Sequence, residues 1–317
     1  MAQDVLTLRS AGLNIKWWGL QNEPQNCPEY AGLRYNDSSY RDVFVATAPK
    51  IKAVAAGVRI EAGSSNGCAS PAKGVFDDPV ASALVDSWTF HTGGKLAATA
   101  MKNFSCGDGK SVWVNEWEYF HFNLGATDTV NIAASIINWF VFSDAPKFTW
   151  LHALKPTYNV EAVGFGLGFW RPYDDDVNRT IHKGHWRYNN VTWNALGGFP
   201  RHMPWNSIRL NVTEEMVYTE QRIMAFATPA LGDGGPLHKT TPAGKVGLVL
   251  TNAASVSFTA RVTLKSAADS KAVGPFRGHR YTIGEFGTAL GQRSVDGAGV
   301  LTVVLPPFAI EFWTEGV

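Results

Sequence analysis

An excess of charge of either sign is what this chain most clearly lacks. Its 317 residues carry 28 Lys+Arg against 27 Asp+Glu, a formal net charge of +1. That argues against a nucleic-acid binder, whose footprint is a strong positive excess. Long hydrophobic runs are missing too. The longest, around Ile132–Phe142, is well short of the roughly 18 residues a spanning helix needs, so no membrane partner is expected. The amino terminus, MAQDVLTLRSAGLNIKWW, has no basic stretch leading into an apolar core and is not a signal peptide. Cysteine is scarce. Cys27, Cys68 and Cys106 leave one thiol over, or paired with a segment beyond the chain. No two of them have the C-x-x-C spacing of a zinc site. Low-complexity runs, internal repeats and long linkers are absent.

What is present points to a folded, outward-directed protein. Hydrophobic residues make up 45% and charged residues 17% of the chain, which excludes disorder. At roughly 150 residues per domain the length suits two domains. Twelve Trp residues stand among the aromatics, and such rings serve either a core or the apolar face of a sugar. Five Asn-x-Ser/Thr acceptors occur, at Asn36, Asn103, Asn178, Asn190 and Asn211, which suits a secreted chain with these positions on surface loops. Set against the missing leader, they imply a secreted protein whose true amino-terminal part lies outside this chain.

Residues 1–205 alternate between helix and strand patterns. A helix over 2–12 leads to a strand at Asn14–Gly19. Ser39 opens a helical stretch reaching Gly57, with Pro49 expected to kink or divide it. Strands follow at Val58–Ala62, Ser87–Phe90, Ser111–Asn115 and Phe148–Leu154, with helices at Asp78–Asp86, Lys95–Lys102 and Thr127–Phe142. Five βα units in order predict a parallel sheet covered by helices. After Pro204 the pattern becomes short strands split by Gly, Pro and Ser turns: Met216–Ala227, Lys245–Thr251, Val256–Leu264, His279–Gly284, Val300–Leu305 and Ala309–Trp313. Residues 206–317 therefore read as an antiparallel β-sandwich.

Two motifs carry chemistry. Gln21-Asn22-Glu23-Pro24 follows the first strand, and Val112-Trp113-Val114-Asn115 runs into Glu116. Taken singly, a strand-end Glu is most often a solvated loop carboxylate. Two carboxylates at the carboxyl ends of strands on one face suit glycosidic bond cleavage, one as acid then base, the other attacking the anomeric carbon. Glu118 competes with Glu116, because side chains two apart on a strand face the same way.

Asn-Glu-Pro after a strand, with a later strand-end Glu, resembles the clan A retaining glycosidases and most closely glycoside hydrolase family 30. The resemblance implies Glu23 as acid/base, ending the fourth strand of a (β/α)8 TIM barrel, and Glu116 as nucleophile, ending the seventh. It implies that Asn22 binds the sugar 2-hydroxyl and that His91, in Phe90-His91-Thr92, stands at the sixth strand. The family's usual Tyr two residues after that His is replaced by Gly93. Trp150-Leu151-His152-Ala153-Leu154 resembles the eighth strand. Trp193-Asn194-Ala195-Leu196-Gly197-Gly198-Phe199 with Ser207-Ile208-Arg209 resembles the last barrel helix and its passage into a side β-domain. Leu305-Pro306-Pro307-Phe308-Ala309 resembles that domain's final strand. The implied architecture is α/β plus all-β: a partial barrel over 1–205, holding strands four to eight only, then the sandwich over 206–317.

The expected function is hydrolysis of β-linked glycan by double displacement, by a monomer with carbohydrate as its partner and no metal or organic cofactor. Trp113, Trp117 and Trp150 are expected to stack on sugar, with Trp117 and Tyr119 at the rim. The competing expectation is a carbohydrate-binding remnant that kept the cleft and lost activity with its missing strands. Other features read as structural: His182-x-x-His185 as a surface pair, Gly164–Gly168 as a subsite loop and Asp174–Asp176 as a solvated run.

Overall fold

The computed structural model describes residues 1–27, 32–93, 104–118, 125–151, 170–172, 186–218, 220–229, 244–264 and 274–316, with backbone alone at 92–93, 118, 170–172 and 186–187. Tyr119, the expected helix at Lys95–Lys102, the Gly164–Gly168 loop, Asp174–Asp176, the His182/His185 pair, and Asn103 and Asn178 lie outside these residues. Two compact units divide the chain. One is Met1–Gly93, Lys102–Glu118 and Phe142–Leu151; the other takes the described residues of Tyr119–Val141 and His152–Val317.

The first unit is built on a curled five-stranded parallel sheet, a half-barrel. After helix α1 (Ala2–Ser10) come β1 (Trp17–Gly19), α2 (Asp37–Val54), β2 (Arg59–Ser65), the short helices α3 (Lys73–Phe76) and α4 (Pro79–Ser82), β3 (Ser87–Gly93) and β4 (Ser111–Glu118). Beyond α5 (Ala126–Phe142), most of which belongs to the second unit, β5 (Phe148–Trp150) completes the sheet. Each strand pairs with the next in chain order, β1-β2-β3-β4-β5, so all five carboxyl ends meet at one edge.

Helix α2 shows why the local sequence folds this way. Tyr40, Phe44, Ala48 and Ile51 are spaced at helical intervals and fully buried. They share one apolar cluster with Ile60, Ala62, Trp88 and Val112 of the strands. The cap is Asn36 rather than Ser39: its Oδ1 accepts from Ser39 N–H at 2.8 Å, and Ser39 Oγ answers by accepting from Asn36 N–H. Pro49 does not divide the helix, and it sits on the exposed side. The cysteines resolve into one bridge, Cys68–Cys106, with Cys27 free and exposed. Of the glycan acceptors, Asn36, Asn190 and Asn211 are exposed.

The second unit holds α5, the two-stranded ladder β6 (Trp170–Pro172) and β7 (Trp186–Tyr188), and helix α6 (Asn190–His202). Its β-region comprises β8 (Ile208–Leu210), β9 (Gln221–Ala227), β10 (Val246–Asn252), β11 (Phe258–Thr263), β12 (Phe276–Thr282), β13 (Glu285–Arg293), β14 (Val300–Leu305) and β15 (Ala309–Glu315). Six of these form an antiparallel sheet in the order β13-β12-β15-β10-β9-β8, and β11 pairs with β14. Leu248, Leu250, Phe276 and Trp313 of the larger sheet share one buried cluster with Leu301, Val303 and Leu305 of the smaller. Strand β13 escaped the sequence pattern because it is a sheet edge, largely exposed, with no run of apolar alternation.

Helix α6 rests on this sheet through its glycine pair. A Cβ at Gly198 would stand 2.1 Å from the Phe312 ring, and one at Gly197 2.4 Å from Phe286. At the helix end His202 Nε2 lies 2.8 Å from the Tyr281 hydroxyl, and the His202 ring stacks on His279. Burial, then the neighbouring His279 and Arg201, lowers His202 from 6.5 to about 3; burial and Arg201 lower His279 in the same direction.

Two outcomes follow for stability. Closing a 38-residue loop is worth about 4 kcal/mol on chain-entropy grounds; the paired change Cys68→Ser, Cys106→Ser should cost roughly that, read from denaturant midpoints. For His202 the folded value lies below the unfolded one, so its contribution is complete above pH 6.5 and is lost as pH falls toward 3. His202→Gln should lower stability at neutral pH and flatten the decline between pH 6.5 and 4. Thermal melts of both proteins across that range check this.

Candidate active site

The carboxyl edge of the parallel sheet collects the strand-end residues. Beyond β1 the chain turns through Gln21–Gln25, and Glu23 takes a left-handed backbone, φ 45°. Its N–H donates to Ser64 O at 3.1 Å. Ser64, near the end of β2, is itself left-handed, φ 44°. For residues with a Cβ this conformation costs about 1–2 kcal/mol each, so both turns are held by their surroundings. Asn26 closes the first turn: its N–H donates to Glu23 O at 2.8 Å and its Nδ2 to Glu23 Oε2 at 3.0 Å. Thr89 of β3 holds the second, its Oγ1 accepting from Ser64 N–H at 2.8 Å.

Strand β4 delivers Glu116 through a bulge. Phe90 pairs with Val114 but the next residue, His91, pairs with Glu116, so β4 carries one extra residue across this step. On a regular strand Asn115 and Glu116 would face opposite ways. Past a bulge the side chains are re-aimed, and both reach the site. Asn115 Nδ2 donates to Ser64 Oγ at 3.0 Å, and Glu116 Oε2 lies 3.8 Å from His91 Nε2. Glu118 pairs with Gly93 through its backbone; its side chain lies outside the description.

Glu23, His91 and Glu116 thus come together. Each brings one oxygen or nitrogen within 4.8 Å of the other two. His91 lies between the carboxylates, with Nδ1 3.3 Å from Glu23 Oε1. The side chains are 30%, 10% and 26% exposed for Glu23, His91 and Glu116 in turn, so the carboxylates remain open to a ligand while the imidazole is enclosed. Burial raises Glu116 above its ordinary value; His91 opposes the shift and Glu23, a like charge, adds to it. Asn22 is exposed and its Oδ1 lies 3.5 Å from Ser64 Oγ.

The three tryptophans divide. Trp113 is 8% exposed and packs edge-on against Trp17, with Lys147 Nζ 4.7 Å from its ring centre. Trp117 is 3% exposed, packed on Phe148 and on Trp150 at 4.9 Å. The expectation that these two offer a face to sugar is corrected by their burial. Trp150 is half-buried and keeps part of its surface.

Sequence reasoning passed over the residues beneath the site. Glu61 of β2 is pushed up to about 7 by burial, against the pull of Lys147 and of a hydrogen bond from Asn115. Gly19 admits it: a Cβ there would stand 3.0 Å from Glu61 Oε1. Lys147, just before β5, lies 3.6 Å from the Trp17 ring centre, and burial lowers its pKa. The one available signal was Glu61 itself, an acid inside the apolar run of a central parallel strand.

No protein-family model and no curated protein matches the sequence. Solved structures do. The chain is similar to the glycoside hydrolase family 30 subfamily 8 xylanase Xyn30A from Clostridium acetobutylicum, at 13% identity and TM-score 0.71, over all of this chain and 70% of that one. A GH30 endoxylanase from Clostridium papyrosolvens C71 gives 15% identity and TM-score 0.69 over the same shares. An endo-β1,6-glucanase gives 14% and 0.62, over 99% of this chain and 62% of that one. At these identities the likeness is one of fold, and the fold is that of glycoside hydrolases.

Glu61 yields a test of the buried charge. Its folded value is raised from 4.5 to about 7, so its contribution to stability is greatest below pH 4.5 and falls as pH rises to 7. Glu61→Gln removes the charge and keeps the shape. The variant should gain thermal stability over the parent at pH 8, and lose most of that gain at pH 5, in melting curves recorded side by side.

Proposed function

We propose that the chain is a retaining β-glycosidase of family 30 type acting on a β-linked polysaccharide. The observation that carries this is the pair Glu23 and Glu116, delivered from β1 and β4 to one edge of the sheet with carboxylate oxygens within 4.8 Å of each other. Retaining enzymes hold their carboxyl groups about 5–5.5 Å apart, and inverting ones roughly 6.5–9.5 Å to admit a water. The spacing here supports the first geometry.

In this reading Glu116 attacks the anomeric carbon and Glu23 protonates the leaving oxygen, then activates water. The order of roles rests on strand position and on the resemblance. Burial raises Glu116, a direction that serves an acid, so the roles need their own test. Asn22, His91 and Trp150 are the sugar contacts, and β1–β5 stand for the fourth to eighth strands of a (β/α)8 barrel. Residues 206–317 form the sandwich, supported by the cluster that joins its two sheets. The Cys68–Cys106 bridge and the exposed acceptors support a secreted protein. The solved xylanases and the glucanase support β-linked backbones as substrates.

The test is chemical rescue. Glu116→Ala should lose turnover on aryl β-glycosides and regain it with azide, giving a product of inverted configuration. Glu23→Ala should lose far more on substrates with poor leaving groups than on activated ones. Azide rescue at Glu23 instead reverses the roles, and rescue at Glu118 moves the nucleophile. Glycan binding with no turnover by the parent protein leaves the non-catalytic reading standing.

A further inference from the structure

We propose that Glu61 is a positioning residue for Asn22, acting through a hydrogen-bond relay that runs Glu61–Asn115–Ser64–Asn22 and whose direction is set by the proton on Glu61. The inference rests on the glycosidase reading, in which Asn22 holds a sugar hydroxyl. Every link lies in the first unit. Asn115 donates a hydrogen bond to Glu61, and its Nδ2 donates to Ser64 Oγ at 3.0 Å. Having accepted there, Ser64 Oγ directs its own hydrogen to Asn22 Oδ1, 3.5 Å away. That last link is long for a hydrogen bond, and such links tighten in substrate complexes. Held by its oxygen, Asn22 keeps its Nδ2 hydrogens for the sugar.

Hydrogen counting shows why the proton matters. Glu61 Oε2 and Asn115 Oδ1 are both buried acceptors with no hydrogen-bond partner among the described residues. A carboxylate offers neither of them a hydrogen, and a carboxylic acid offers one. With Glu61 ionised, the Asn115 amide turns Nδ2 to the charge and to Ser64, the arrangement the structure holds. With Glu61 protonated, the acid hydrogen goes to Asn115 Oδ1, the amide turns over to receive it, and the Ser64 hydroxyl swings from Asn22 to the same oxygen. Asn22 then loses its donor. Glu61 has little room to turn away: it stands in register with Gly19 and Ser87, and a Cβ at Gly19 would lie 3.0 Å from its Oε1. The charged and titratable groups facing it are Lys147, ahead of β5, whose attraction favours the ion; Arg59 on its own strand, which acts on Lys147; and Tyr40 of α2. Burial outweighs Lys147 and pushes Glu61 up to about 7, which puts the exchange near neutral pH.

The experiment follows the side-chain amide signals of Asn115 and Asn22 by nitrogen-15 NMR of the full chain from pH 5 to pH 9, each assigned by its loss in Asn115→Ala or Asn22→Ala. In the parent both should move with one midpoint near 7. Glu61→Gln, checked for a native melt, should abolish that step at both. Ser64→Ala should keep it at Asn115 and abolish it at Asn22. A step at Asn22 that survives either variant, or no step at Asn115 in the parent, overturns the relay. Kinetics on aryl β-glycosides give the second readout. The parent KM should be roughly 2- to 10-fold higher at pH 6 than at pH 8, the worth of one hydrogen bond. Glu61→Gln and Ser64→Ala should each remove that rise, while kcat keeps the pH profile set by the two carboxylates. A KM rise that both variants retain, or a kcat profile that moves with Glu61 while KM does not, overturns the positioning role. The two readings fail separately. Amide steps at both residues with no hydrolysis keep the relay and sink the glycosidase reading. Hydrolysis without those steps keeps the glycosidase reading and overturns the relay.

Discussion

The hydrogen bond from Glu23 N–H to Ser64 O is the constraint on which the site depends. It joins two left-handed turns at the ends of neighbouring strands, each made by a residue whose Cβ resists that conformation. Glycine would relax either turn, but would remove the carboxylate at one and the hydroxyl at the other. That hydroxyl accepts from Asn115, and Asn115 in turn bonds Glu61. Strand ends, turn geometry and buried acid are thus linked through Ser64 and Asn115.

The parallel ladder supplies the remainder of the geometry. Strands β1 and β4 are not neighbours; β2 and β3 lie between them. Curl in the sheet, together with the bulge after Val114, brings their terminal carboxylates within reach. His91 comes from the intervening β3 and fills the gap. One side chain each from the turn after β1, from β3 and from β4 makes up the cluster, which is why it is specified by long-range register rather than by any local motif.

How much of this was legible in the sequence depended on the range of the interaction. Glu23 and Glu116 could be read because each terminates a strand whose apolar run is local. The parallel order of five strands followed from the alternation of helix and strand patterns, and the fold of the solved xylanases agrees with it. The bulge was invisible, since it is a property of β4 against β3 and leaves no mark on Val112–Glu116 alone. For the same reason Trp113 and Trp117 were misjudged: their burial depends on Trp17, Lys147, Phe148 and Trp150, which arrive from other strands. The Asn36 cap was missed for a local reason, because Ser39 is also a good capping residue and here plays the reciprocal role in the same box.

The disulfide has a topological meaning beyond its energy. Cys68 follows β2 and Cys106 precedes β4, so the covalent loop contains all of β3 and with it His91. A protease that cuts the chain anywhere between the two cysteines produces fragments that remain one covalent molecule. Under oxidising conditions, after any single cut in that loop, the imidazole strand stays covalently joined to the rest of the molecule. After a single cut, reduction is what separates the two fragments.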